Sequence, residues 1–156
     1  MSGKVPMTKE GHSKLTEEIQ RLKTKDRPSV VKEIETARAH GDLSENAEYH
    51  AAKEKQSFIE GRIQIIGDKL ARAEVIDISK VPRNRVVFGV TVVLEDEDTY
   101  EKIKYQIVGE DEADVENGKI SVTSPIARSL IGKEPDDTAV AVTPGGKREF
   151  TILEII

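Results

Sequence analysis

Three carboxylates crowd one short stretch of this chain. Asp42, Glu45 and Glu48 fall within the run Ala37-Arg38-Ala39-His40-Gly41-Asp42-Leu43-Ser44-Glu45-Asn46-Ala47-Glu48-Tyr49. Two chemistries fit them. Asp42-Leu43-Ser44-Glu45 has the form of a capping box, with Asp42 as the N-cap and Glu45 three residues on. Acids also suit a helix N-terminus, where the macrodipole is positive. The other reading is a divalent cation site. Mg²⁺ takes oxygen ligands, commonly one or two carboxylates plus waters and phosphate oxygens. Two acids are too few to hold Mg²⁺ tightly alone, so they would complete a site whose other ligands come from a partner. There they would position a metal and its water for attack on a phosphodiester. The readings are compatible, because a carboxylate keeps spare lone pairs after one backbone contact. His40 and His50 have no third ligand nearby and read as surface histidines. Tyr49 reads as packing the turn and orienting the acids, with stacking on a base as the alternative.

Such acids need a support, and the flanking residues supply one. Leu15, Ile19 and Leu22 are spaced by four and three, and after Pro28 the pattern resumes at Val30, Ile34 and Ala37. Beyond Gly41, the residues Ile59, Ile63, Ile66, Leu70 and Ala73 repeat four-three-four-three, and Ala47, Ala51, Glu54 and Phe58 fill the stretch before them. This narrow apolar seam is the pattern of a two-stranded coiled coil. Thr8 is the expected N-cap of the first arm. The break His40-Gly41-Asp42-Leu43 is so short that the arms must run antiparallel. Each arm is about 30 residues, so the rod is on the order of 45 Å long at a rise of ~1.5 Å per residue. The predicted element is a coiled-coil hairpin over residues 1–75 with an acidic tip near 40–48.

Composition changes near residue 76. Residues 1–75 carry 14 basic and 13 acidic side chains, and residues 76–156 carry 10 and 16. Pro82, Pro125, Pro135 and Pro144 all lie in the second part. Val86–Leu94 and Tyr105–Val108 read as strands joined by an acidic turn at Glu95–Asp98. Lys119–Val122 reads as another strand. Ala139–Val142 and Glu149–Leu153 flank Pro144-Gly145-Gly146-Lys147 as a hairpin. Ser124-Pro125-Ile126 through Gly132 has the marks of a short helix, with a Ser cap, Pro at the first position and a glycine stop. The fold class is therefore α+β: an antiparallel helical hairpin, then over 76–156 a globular antiparallel sheet with one helix. The chain has no cysteine, which removes disulfides, thiolate metal sites and a thiol nucleophile. No apolar run approaches the roughly 20 residues of a membrane span, and no secretory signal is visible, so a cytoplasmic location is expected.

The run Ile34–Glu54 resembles the signature of the GreA transcript cleavage factors of bacteria. Phe88-Gly89, Val108–Asp114, Ser124–Arg128, Leu130–Glu134 and Thr143–Gly146 resemble the same family, so the likeness covers nearly the whole chain in one register. It implies a C-terminal domain of FKBP-like fold, and a factor that docks on RNA polymerase and inserts its coiled coil into the secondary channel. The tip acids Asp42 and Glu45 would then help bind the second catalytic Mg²⁺ of the polymerase and orient the attacking water. The polymerase would cleave the 3′ end of backtracked RNA, with this chain an activator in trans rather than an enzyme. Arg38 and Lys53, otherwise ordinary solvated helix charge, are implied as contacts to transcript phosphates. Ser44 stands where some relatives carry a basic residue, which would weaken that patch. Ser124, Pro125 and Ile126 are implied as the element that touches the channel rim, with Thr123 where some relatives have an acid. The expected partners are RNA polymerase and the nascent RNA 3′ end, with no membrane and a monomeric chain. Mg²⁺ is expected in the polymerase centre and is not held tightly by the chain alone.

Other functions fit these residues less well. An inhibitory homologue that binds the same channel would carry altered tip acids, whereas Asp42 and Glu45 both stand. A prolyl isomerase needs an aromatic-lined pocket, and the second part offers only Phe88, Tyr100, Tyr105 and Phe150, with no tryptophan. A free-standing nucleic-acid-binding coiled coil is disfavoured by a net charge of -5 and the lack of a basic stripe.

Overall fold

Contacts in the computed structural model, which describes residues 3–42 and 46–156, divide the chain into two units. One is built on His12–Ala73, the other on Lys4–Gly11 together with Glu74–Ile156. The expected hairpin spans all of residues 1–75. Residues 4–11 instead belong with the second unit, because they are tied there by a strand pairing and by Glu112.

The first unit is helical. Its leading arm is α1 (Lys9–Arg21), a π-helical turn over Leu22–Asp26, and α2 (Arg27–Arg38). The π turn has a cause in Pro28. Proline lacks an N–H and its ring clashes with the carbonyl four residues back. The Arg27 N–H reaches Leu22 O, five residues back, and this widened turn lets the helix pass the proline without stopping. The second arm is α3 (Ala47–Ala71). Leu15, Ile19, Leu22, Val30 and Ala37 are buried, as are Ile59, Ile63 and Ile66. Before Ile59 the seam differs from expectation. It passes through buried Ala52 and half-buried Gln56, while Phe58 is 72% exposed. Stepping back from Ile59 by three and four lands on Gln56 and Ala52, so the isoleucines set the register and Ala51, Glu54 and Phe58 face outward.

Ion pairs cross between the arms. Arg62 forks onto Glu18 at 2.7 and 2.9 Å. Arg27 forks onto Glu60 at 2.8 and 2.7 Å, and Lys55 meets Glu33 at 3.2 Å. Hydrogen bonding to the Arg62 guanidinium holds the Glu18 carboxyl below the usual carboxylate range. Arg27 does the same to Glu60.

The second unit is α+β. A two-stranded sheet pairs β1 (Val5–Thr8) with β2 (Ala73–Ile76). A five-stranded sheet is built from β3 (Thr91–Asp96), β4 (Lys102–Val108), β5 (Lys119–Ser121), β6 (Thr138–Thr143) and β7 (Gly146–Ile155), in the order β5-β4-β3-β7-β6. The helix α4 (Pro125–Leu130) packs on it. The sheet is mixed rather than wholly antiparallel, since β5 runs parallel to β4 with Gln106 opposite Lys119. Two single 3₁₀ turns, Glu110–Glu112 and Val115–Asn117, carry the chain back to re-enter in the same direction. Val86–Val90 also departs from the expected strand. Its backbone bonds elsewhere, Val86 N–H to Lys133 O and Gly89 N–H to Ile107 O, both 2.8 Å, yet Val86 and Val90 are fully buried. They join Leu94, Ile107, Leu130, Phe150 and Ile152 in one core.

β3 alternates burial residue by residue, which turns Asp96 inward to 6% exposure. The sequence pays for that carboxylate locally. It accepts from Asp98 N–H at 2.8 Å, Thr99 N–H at 3.2 Å and Arg148 Nη2 at 3.2 Å. These bonds, the backbone ones foremost, hold its carboxyl below the usual range. The Arg148 guanidinium in turn lies 4.8 Å over the Phe150 ring. Among the described residues no helix is long and apolar enough to cross a membrane.

Candidate functional site

The acids of interest sit where α2 gives way to α3. The end of α2 tightens: Ala39 N–H reaches Glu35 O, but His40 N–H reaches Ala37 O at 3.1 Å and Gly41 N–H reaches Arg38 O at 3.3 Å. Gly41 follows at φ +103°, a conformation that a side chain disfavours, and turns the chain out of the helix. Asp42 is exposed on this turn. Glu45, with Leu43 and Ser44, lies outside the described residues.

The cap of α3 is not Asp42. It is Asn46, at φ -87° and ψ 95°, whose Oδ1 accepts from Tyr49 N–H at 3.0 Å. The helix starts four residues later than the capping-box pattern suggested, so Asp42 is not used as its cap. The Asn46 side chain also donates from Nδ2 to Ala37 O at 2.6 Å. Glu48, in the first turn of α3, approaches His40 Nε2 at 3.4 Å. His40, Asp42, Asn46, Ala47 and Glu48 thus line one open hollow at the tip. The Tyr49 ring meets the His50 ring edge-on at 5.6 Å.

The expected RNA contacts lie on both sides of this turn. Arg38 is exposed at the end of α2. Lys53 is exposed on α3 and donates to Gln56 at 3.1 Å. Neither lines the groove of about 570 Å³ between α2 and α3, whose lining includes Lys32, Lys55 and exposed Ala51 above buried Ala37 and Ala52. Sequence reading missed that groove, because it depends on which alanine of the 51–52 pair faces inward.

Asp42 supplies a hard oxygen donor of the kind Mg²⁺ accepts. Among the described residues, no three acids, histidines or cysteines gather tightly enough to hold a metal ion. Asp42 alone fits the ion as one ligand of a set completed by other groups.

In the second unit, Ser124 caps α4 through its Oγ, which accepts from Ala127 N–H at 3.2 Å, with Pro125 at the first helical position. Ala127 and Leu130 are fully buried and Ile126 packs against the core. Pro125, Arg128 and Ile131 remain exposed.

Fold and site together define a two-unit α+β chain with carboxylates at the turn of a helical hairpin. That chain belongs to the GreA/GreB family of transcription elongation factors. A model described as the N-terminal domain of the transcription elongation factor matches residues 5–75, and one described as the GreA/GreB C-terminal domain matches 81–156. The chain is 59% identical over 153 residues to the transcription elongation factor GreA of Hyphomonas neptunium, covering 98% of each. It is 60% identical over 152 residues to that of Phenylobacterium zucineum, covering 97% of each. Among solved structures it is similar to the GreA factor homolog 1 of Thermus thermophilus, at 30% identity and TM-score 0.45, covering 98% of this chain and 99% of that one. The protein is a transcription elongation factor.

Proposed function

We propose that this factor binds bacterial RNA polymerase, enters its secondary channel with the helical hairpin and stimulates Mg²⁺-dependent cleavage of backtracked RNA at the 3′ end. The observation that carries the reading is Asp42, an exposed carboxylate on the turn that closes two packed helices. In this reading the Asp42 and Glu45 carboxylates complete the coordination of an ion otherwise held by the polymerase. Mg²⁺ bound there would supply an activated water and stabilise charge on the phosphodiester. The chain's own residues bring oxygen donors to that point, and Arg38 and Lys53 hold transcript phosphates. Ser124, Pro125 and Ile126 dock at the channel rim. The bond is broken in the polymerase centre, so the chain acts in trans, within the cytoplasm and as a monomer.

The test adds the full chain and Mg²⁺ to a stalled, backtracked elongation complex. Wild type should shorten the RNA. Asp42→Asn and Glu45→Gln should each remove most of that stimulation, while polymerase binding stays near wild type. Wild-type cleavage by either variant overturns the assignment, and polymerase binding without any cleavage by wild type would mark an inhibitory factor instead.

A further inference from the structure

One side chain closes the tip from both ends. Ala37 O belongs to the last turn of α2, where carbonyls run out of helical donors. It accepts from His40 N–H at 3.1 Å and from Asn46 Nδ2 at 2.6 Å. The same amide's Oδ1 accepts from Tyr49 N–H at 3.0 Å in the first turn of α3, where N–H groups lack acceptors. Only one orientation of the amide satisfies both, with oxygen toward Tyr49 and nitrogen toward Ala37. Ala37 is 2% exposed, so the bond to its carbonyl is made at the seam, where a lost partner is costly. Asp42 and Glu45 both lie in the segment between Ala37 and Asn46.

We infer that Asn46 is a positioning residue: it clasps the end of α2 to the start of α3 and thereby steadies the helix end from which Asp42 projects. This inference rests on the reading above for its functional consequence, but not for the clasp itself. Coordination tolerates misplacement of only about 0.5 Å, and a helix end tied to its partner by one amide has fewer ways to move Asp42. Capping alone would not require asparagine. Aspartate and serine cap equally well, but a carboxylate cannot donate to Ala37 O and would face that oxygen with like charge.

The deciding variant is therefore Asn46→Asp in the full chain, with Asn46→Ala for comparison. Asn46→Asp keeps the cap but loses the bond to Ala37 O, so helical content should match wild type and the melting temperature should fall less than in Asn46→Ala. Hydrogen exchange of the Ala39, His40 and Gly41 amides in the free protein should accelerate roughly fivefold or more, the equivalent of one lost hydrogen bond. On backtracked complexes the stimulated cleavage rate should fall by a similar factor, roughly fivefold, and half-saturation should need more Mg²⁺, with polymerase affinity unchanged. Asn46→Ala should lose the cap as well and melt lower. Wild-type exchange in Asn46→Asp overturns the clasp. Faster exchange with wild-type cleavage and Mg²⁺ dependence overturns the positioning role. If wild type stimulates no cleavage, the functional reading fails and the exchange result alone decides the clasp.

Discussion

Glu112 answers three donors at once. Its Oε2 accepts from Thr8 N–H and Gly109 N–H, each at 3.1 Å, and its Oε1 accepts from the Thr8 hydroxyl. Thr8 Oγ1 accepts from Gly11 N–H at 3.1 Å and so caps α1. A Cβ on Gly11 would stand 2.3 Å from Glu112 Cδ, so glycine there is what admits the carboxylate. Glu112→Ala should cost about 1–3 kcal/mol, because the buried Thr8 and Gly109 groups lose their acceptor. Glu112→Gln should cost less, since one oxygen still accepts. Denaturant unfolding of the two variants checks the order, and equal stability of Glu112→Ala and wild type would refute it. Thr8 and Ser124 were legible as caps because the signal is local, a hydroxyl three residues before the N–H it serves. Glu112 was not, since it lies 104 residues from Thr8. Asn46 was missed for a different reason. Asp42-Leu43-Ser44-Glu45 offers an equally good local cap, and only the position of Ala37 O in three dimensions favours Asn46.

Charge pairs mark the register of the hairpin arms. Glu18 and Glu60 each accept a forked guanidinium from the opposite arm. That hydrogen bonding lowers both carboxyl pKa values relative to an unfolded chain. The sign follows directly. A carboxylate with a depressed folded pKa stabilises the fold above its unfolded value, about 4.3 for Glu, and that contribution disappears as pH falls through the folded value. Melting of the helices should therefore be flat from neutral pH to about 5 and decline below about 4. Asp77 and Asp96 in the other unit carry shifts of the same sign, so the whole protein does not isolate the pairs. The combined variant Glu18→Gln with Glu60→Gln does. It should show a shallower acid-side decline by far-UV circular dichroism, modest in size because both pairs are half-exposed. An identical decline in both proteins would show that the pairs contribute nothing. The isoleucine heptads made α3 legible, but not its first half. There Ala51 and Ala52 are both small and apolar, and a one-residue choice decides which faces the partner arm. The parallel β5 was illegible for a related reason. Lys119–Ser121 is only three residues, too short for its alternation to declare a direction, and the turns before it set its course.

At the scale of the whole molecule the decisive quantity is charge. Residues 76–156 carry the excess acid, while residues 1–75 are nearly balanced, so neither part attracts nucleic acid strongly on its own. Around the tip, residues 36–56 hold Arg38, Lys53 and Lys55 against Asp42, Glu45, Glu48 and Glu54. Lys55 is already paired to Glu33 at 3.2 Å, and Lys53 donates to Gln56 at 3.1 Å. Each phosphate contact adds affinity chiefly through the charge it neutralises, and this tip has little to offer a long extruded strand. On the proposed reading, the factor should act best on short backtracks and release fragments of about two or three nucleotides, because few phosphates can be held. Deeply arrested complexes should be rescued poorly. Ser44→Lys, which adds a cation between the two acids in sequence, should lengthen the fragments released and steepen the salt dependence of cleavage, whereas Lys53→Ala should weaken cleavage and flatten it. Sizing the pieces from 3′-labelled transcripts over a salt series reads all of these at once. Efficient release of much longer fragments by the unmodified chain would show that the RNA is held by the polymerase alone, and that the sparse positive charge of this tip does not set the product length.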